Sequence, residues 1–156
     1  MNSNSKETIG LAGEYAVAFE LCRRGFYAQL TLGNHKKTDI LVESTGQLFR
    51  VSVKAKTGRQ WPKVTGISDT GDLLVFVDFQ DKELNELPDF YVLNVPAWKK
   101  LVQSIAKNKT DGAKIDNENT LYWEAWENNP KGWRGCAISP SQVLKYKDCW
   151  PTQEQP

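Results

Sequence analysis

The sequence predicts an α/β (α+β) fold, a central β-sheet with helices packed on it. Three observations predict this. An N-terminal segment with helix start and stop signals precedes a set of short β-branched runs. One of those runs, "LLVFVDF" at 73–79, is continuously apolar, as a strand covered on both faces must be. A segment of helical period, 98–105, follows the last of the long runs.

Taken in order, "KETIGLAGEYAVAFELCRRG" predicts a helix over about 6–24. Ser3 or Ser5 can cap its orphan amides, Arg23 and Arg24 complement the negative end of its dipole, and Gly25 suits the position just past it. A short strand is expected near 26–32, then a hairpin over 38–57 turning at Thr45-Gly46. "FYVLNV" at 90–95 reads as a strand stopped by Pro96. Beyond it Trp98, Leu101, Val102 and Ile105 recur at helical spacing on one face. Residues 108–120 are polar and predict a loop. "LYWEAW", "RGCAI" and a short helix from Pro140, capped by Ser139, complete the chain.

Composition limits the function classes. The 156 residues are 40% hydrophobic and 25% charged, enough for one soluble domain with a core of its own. The formal net charge of +1 gives no global field for a polyanion, yet the charge is unevenly placed. Residues 34–63 hold seven basic side chains against two acidic, and residues 78–89 hold five acidic against one basic. Cys22, Cys136 and Cys149 are widely spaced and odd in number, which suits reduced, mostly buried thiols in a cytoplasmic protein rather than a zinc knuckle. The lone His35 lies in a Gly-Asn-His-Lys-Lys loop and favours neither zinc nor a histidine-centred triad. No run approaches the length of a membrane span, and the polar first ten residues lack a signal core.

The hairpin "TDILVESTGQLFRVSVKAKT" carries the chemistry. A turn at Thr45-Gly46 pairs Leu41 with Arg50 and Glu43 with Leu48, and sets Asp39 opposite Ser52. Alternation then gives an apolar face of Ile40, Val42, Phe49, Val51 and Val53. The other face holds Asp39, Ser52, Lys54 and Lys56, with Asp39 and Lys54 in diagonal reach. A solvated cross-strand ion pair and a reactive site both fit this pattern.

"TDILV" followed by "FRVSVKAK" resembles the core of the PD-(D/E)XK nucleases, the restriction-endonuclease-like fold. "IGLAGEYAVAFELCRRGFYA" is similar to the G-x-x-G-E opening of their Holliday-junction-resolvase-like bacterial branch, with Gly10, Gly13, Glu14, Leu21, Gly25 and Phe26 filling the pattern. The resemblance spans about residues 9–57, and more weakly to 107. It implies one nuclease-like domain over 1–156, with a core of about 5–107 and a C-terminal elaboration of about 108–150 outside the pattern. It further implies that Asp39, Glu14 and the Val53 carbonyl hold Mg²⁺ or Mn²⁺, and that Lys54 stabilises charge on the phosphate. Position 52 is acidic or amide in the family, and Ser52 stands there instead.

Two functions are therefore open: a metal-dependent endonuclease acting on DNA, or a catalytically silent nuclease fold serving as a binding or interaction module. Lys36, Lys37, Lys56 and Arg59 would grip the backbone, and Trp61 would either stack on a base or pack into the fold. Many members of such families act as homodimers, and nothing in this sequence marks an interface.

Overall fold

A computed structural model of the chain describes residues 5–32 and 38–153. His35, Lys36, Lys37 and Ser3 lie outside the described residues. Helix α1 (Lys6–Arg23) starts on Ser5, whose hydroxyl accepts the Thr8 N–H at 3.2 Å. It ends on Gly25 at φ 92, a left-handed conformation that glycine adopts without strain.

Five strands build the main sheet: β1 (Tyr27–Leu30), β2 (Ile40–Ser44), β3 (Gln47–Lys56), β5 (Leu73–Asp78) and β6 (Asp89–Asn94). Their spatial order is β1-β2-β3-β5-β6. β3 and β5 run parallel and the other neighbours antiparallel, so the sheet is mixed, the arrangement the restriction-endonuclease-like resemblance implies. The expected hairpin register holds, with Leu41 opposite Arg50 and Glu43 opposite Leu48.

Two cores form because side chains alternate. Leu73, Val75 and Val77 of β5 join Val17 and Leu21 of α1 and Val51 and Val53 of β3. Leu74 and Phe76 point the other way, onto Trp98 and Val102 of helix α2 (Val95–Lys107). β5 is buried at all six positions, which is why its sequence shows no alternation.

The remaining elements pack mainly on the α2 side. They are β4 (Trp61–Val64), β7 (Lys114–Ile115), β8 (Leu121–Trp123), β9 (Trp133–Arg134), β10 (Cys136–Ile138) and α3 (Pro140–Val143), followed by a 3₁₀ turn over Leu144–Tyr146. β4 pairs with β10, so residues far apart in sequence close the second core.

Several details depart from expectation. Pro96 does not merely end a strand: it sits in the first turn of α2, where its missing N–H costs nothing, and Asn94 caps the helix. The polar stretch 108–120 contains β7, held by pairing to β8. Of the three free thiols only Cys136 is buried, and burial pushes its pKa up to about 11. Cys22 and Cys149 are exposed. No helix among the described residues is long and apolar enough to cross a membrane.

Candidate functional site at the open edge of the third strand

β2 begins at Ile40, one residue after Asp39, so the β2-side edge of β3 is open beyond that point. Asp39 fills the first gap. Its N–H donates to the Val51 carbonyl at 3.0 Å, and its Oδ2 accepts the Val53 N–H at 2.6 Å. The N–H and C=O of one strand residue point to the same edge. The Val53 carbonyl therefore opens onto the edge that Asp39 occupies, while the Lys56 carbonyl, which accepts the Phe79 N–H, faces β5.

Thr31 holds Asp39 in place. Its N–H donates to the Asp39 carbonyl at 3.0 Å, and its hydroxyl donates to the Thr38 carbonyl at 2.6 Å. This staple ties the residue after β1 to the two residues before β2, and no residue type in the sequence advertises it.

Glu14 arrives from α1. The helix can come close because Gly13 faces the sheet: a Cβ there would lie 2.6 Å from the Ala55 Cβ. The G-x-x-G-E pattern thus has a steric reason at its second glycine. Burial raises the Glu14 pKa above the ordinary carboxyl range, and the negative charge of Asp39 raises it further. The Lys54 ammonium acts in the opposite sense. Glu14 thus feels both Asp39 and Lys54, groups drawn from a loop end and a strand.

Lys54 is half-buried and makes no ion pair or hydrogen bond among the described residues. Its cross-strand neighbour Phe76 belongs to the second core, so its stem runs along that face while its head stays uncommitted. Ser52 is only 6% exposed, two positions before it. Asp39 Oδ1 accepts no hydrogen bond from the described residues, which leaves that oxygen available.

Two sequence-predicted contacts turn inward instead. Lys56 is 5% exposed, and its ammonium donates to Asp78 at 2.6 Å, to the Gly58 carbonyl at 2.8 Å and to Gln80 at 3.2 Å. It also lies 4.7 Å from the Trp61 ring centroid. All its donors are engaged, so it braces the end of β3 rather than meeting a phosphate. Trp61 is core: it is 1% exposed, and its indole N–H donates to the Val77 carbonyl at 3.1 Å. Arg59 lies between them, exposed and without an ion pair among the described residues.

A pattern the sequence reading missed is the pairing of Arg50 with Asp72 at 2.7 Å, with Asp69 also in contact. It removes Arg50 from the basic count of residues 34–63.

Among the described residues no group of three or more His, Cys, Asp or Glu side chains could hold a metal. What is present is the Asp39 carboxylate and the Val53 carbonyl on one edge, with the Glu14 carboxylate near enough to feel the Asp39 charge. That all-oxygen set fits a hard cation such as Mg²⁺, which is commonly held by one or two carboxylates and keeps much of its water.

What the fold defines is a mixed α/β protein with one central sheet between helices. No protein-family model matches the chain, and neither does any curated protein. Among solved structures the chain is similar to a bacterial homing endonuclease, I-Ssp6803I. The identity is 20% and the TM-score 0.41, over 59% of this chain and 70% of that one. At that level of likeness, function has to be argued from Glu14, Asp39 and Lys54 themselves.

Proposed function

We propose that this chain is a nuclease-like protein of the PD-(D/E)XK type that engages DNA phosphodiesters at the Glu14–Asp39–Lys54 cluster. The observation that carries this reading is the cost of ionising Glu14, which burial and Asp39 both oppose and the Lys54 ammonium offsets only in part. A fold selected for stability alone would place a neutral side chain there. Asp39, Glu14 and the Val53 carbonyl would hold Mg²⁺ or Mn²⁺, which when bound supplies Lewis acidity and a lowered water pKa.

The chain's own groups have distinct tasks. Asp39 is oriented by the Val53 N–H, so its remaining oxygen faces the open edge. The Lys54 ammonium, with no competing acceptor among the described residues, offers donors to charge growing on a phosphate oxygen. Arg59, exposed on the link after β3, would hold a neighbouring phosphate.

Ser52 favours a second reading. It is neutral and nearly buried where the family carries a carboxylate or amide, so it removes one charge from the site. On this reading the scaffold binds without turnover.

Calorimetric titration with Mn²⁺ tests the first reading: the wild type binds and Asp39→Ala does not. A wild type that takes up neither Mn²⁺ nor Mg²⁺ at millimolar concentration removes the enzyme. Cleavage that appears only in Ser52→Glu selects the silent module.

A further inference from the structure

The tryptophan-rich segment near the C-terminus has no part in the site above, and it borders a cavity. Where α2, β4 and the C-terminal strands meet, a space of about 940 Å³ opens on the α2 side of the sheet. Lys63, Lys100, Lys109 and Lys145 line it with Trp123 and Trp133, and no aspartate or glutamate does. None of these four lysines has an ion pair among the described residues. Three of them lie over ring faces instead. Lys63 is 4.6 Å from the Trp133 centroid, Lys109 is 5.9 Å from Trp123, and Lys145 is 5.0 Å from Tyr146.

The backbone is bent to produce this arrangement. β4 and β10 pair with a register shift between Cys136 and Ile138, so Pro62 and Lys63 both face outward between the buried Trp61 and Val64. Lys63 sits at φ 52, a left-handed conformation that a lysine adopts only under local constraint. Opposite it, Gly135 is at φ 98, and a Cβ there would come 2.9 Å from the Lys63 carbonyl carbon. Strain is thus spent to lift one lysine onto Trp133. Trp133 itself stays 46% exposed, with its indole N–H fixed on the Gly135 carbonyl at 3.0 Å.

We propose that this cavity is a single-stranded nucleic-acid groove: the four lysines follow the phosphates, and Trp123 and Trp133 offer flat surfaces to the bases. A duplex hides its base faces, whereas a single strand presents charge and ring faces together. Phosphopeptide sites are built on bidentate arginine forks, and arginine is missing from this lining. An adjoining cavity shares Trp123 and Trp133 but adds Asp111 and Glu124. Glu124 there is already paired with Lys114 at 2.8 Å, so that cavity offers phosphate no free cation and the track stops at its border. The proposal is independent of Glu14, Asp39 and Lys54.

The test is fluorescence anisotropy with labelled dT12 and U12 on the intact chain, at several salt concentrations. Both or either bind, the better one naming the natural strand, and log K falls against log salt with a slope near −3, about −0.7 per lysine–phosphate contact. A Lys100→Glu, Lys109→Glu, Lys145→Glu triple variant loses binding at least 100-fold. Trp133→Ala weakens it about tenfold, within the range of one lost base stack, with unchanged circular dichroism. Binding is the same with EDTA as with Mn²⁺, so failure of the metal site leaves this groove standing. Four results overturn the proposal: neither strand binding, a duplex of equal length binding as tightly as the strand, a triple variant binding as wild type does, or binding only of thymidine monophosphate or a phosphoserine peptide.

Discussion

Gly13 and Gly10 form a built-in control on the steric argument for the site. Both lie in α1, where replacing glycine with alanine gains about 1 kcal/mol of helix propensity. A Cβ at Gly10 meets nothing within 4 Å, whereas at Gly13 it lies 2.6 Å from the Ala55 Cβ. Overpacking of that kind costs about 1–3 kcal/mol. Gly10→Ala should therefore stabilise the protein by about 1 kcal/mol, and Gly13→Ala should lose about 0–2 kcal/mol. Urea unfolding followed by tryptophan fluorescence measures both, and the difference between the two variants isolates the packing contribution at about 1–3 kcal/mol. The helix can relieve the clash only by moving off β3, which carries Glu14 away from Asp39. Gly13→Ala should therefore also weaken Mn²⁺ uptake, with Gly10→Ala unaffected. Equal stability of the two variants would refute the claim that the glycine exists to let the helix approach.

Three further outcomes follow from named contacts. Asp78→Ala leaves the Lys56 ammonium buried without its carboxylate and should cost about 3–5 kcal/mol, measured by thermal or urea unfolding. Glu14 has a raised folded-state pKa, so the unfolded chain gives up its proton first and stability falls as pH rises through the carboxyl range. Glu14→Gln should remove that fall and raise the melting temperature at pH 7 without divalent cations; an unchanged pH profile contradicts the burial of the carboxyl. Lys54→Met should leave stability within about 0.5 kcal/mol, since no ion pair among the described residues is lost, while abolishing any cleavage measured on DNA.

The sheet and α2 were legible in the sequence because apolar runs and period report burial directly, and α1 because its cap and last-turn residues mark its ends. The hairpin register followed from one turn, since side-chain alternation is rigid once the turn is fixed. β4 was not legible: its buried positions, Trp61 and Val64, are separated by two outward residues, which is neither a strand nor a helix period. The fates of Lys56 and Arg50 were equally hidden. A lysine reads as basic surface until its carboxylate is known, and Asp78 and Asp72 come from β5 and the turn before it, more than twenty residues away. For the candidate site, Asp39, Glu14 and Lys54 could be grouped from sequence, whereas Thr31 and the Val53 N–H could not, because backbone partners leave no residue signature.

Lys56 has one effect that its burial does not cancel. Its hydrogen bond to the Gly58 carbonyl ties down the link between β3 and β4, and Trp61 anchors the far end through Val77. Arg59 therefore rides on a short bridge fastened at both abutments. An anion arriving there meets a guanidinium whose backbone has already surrendered its freedom, so the freezing that a slack linker would undergo on contact was completed when the chain folded.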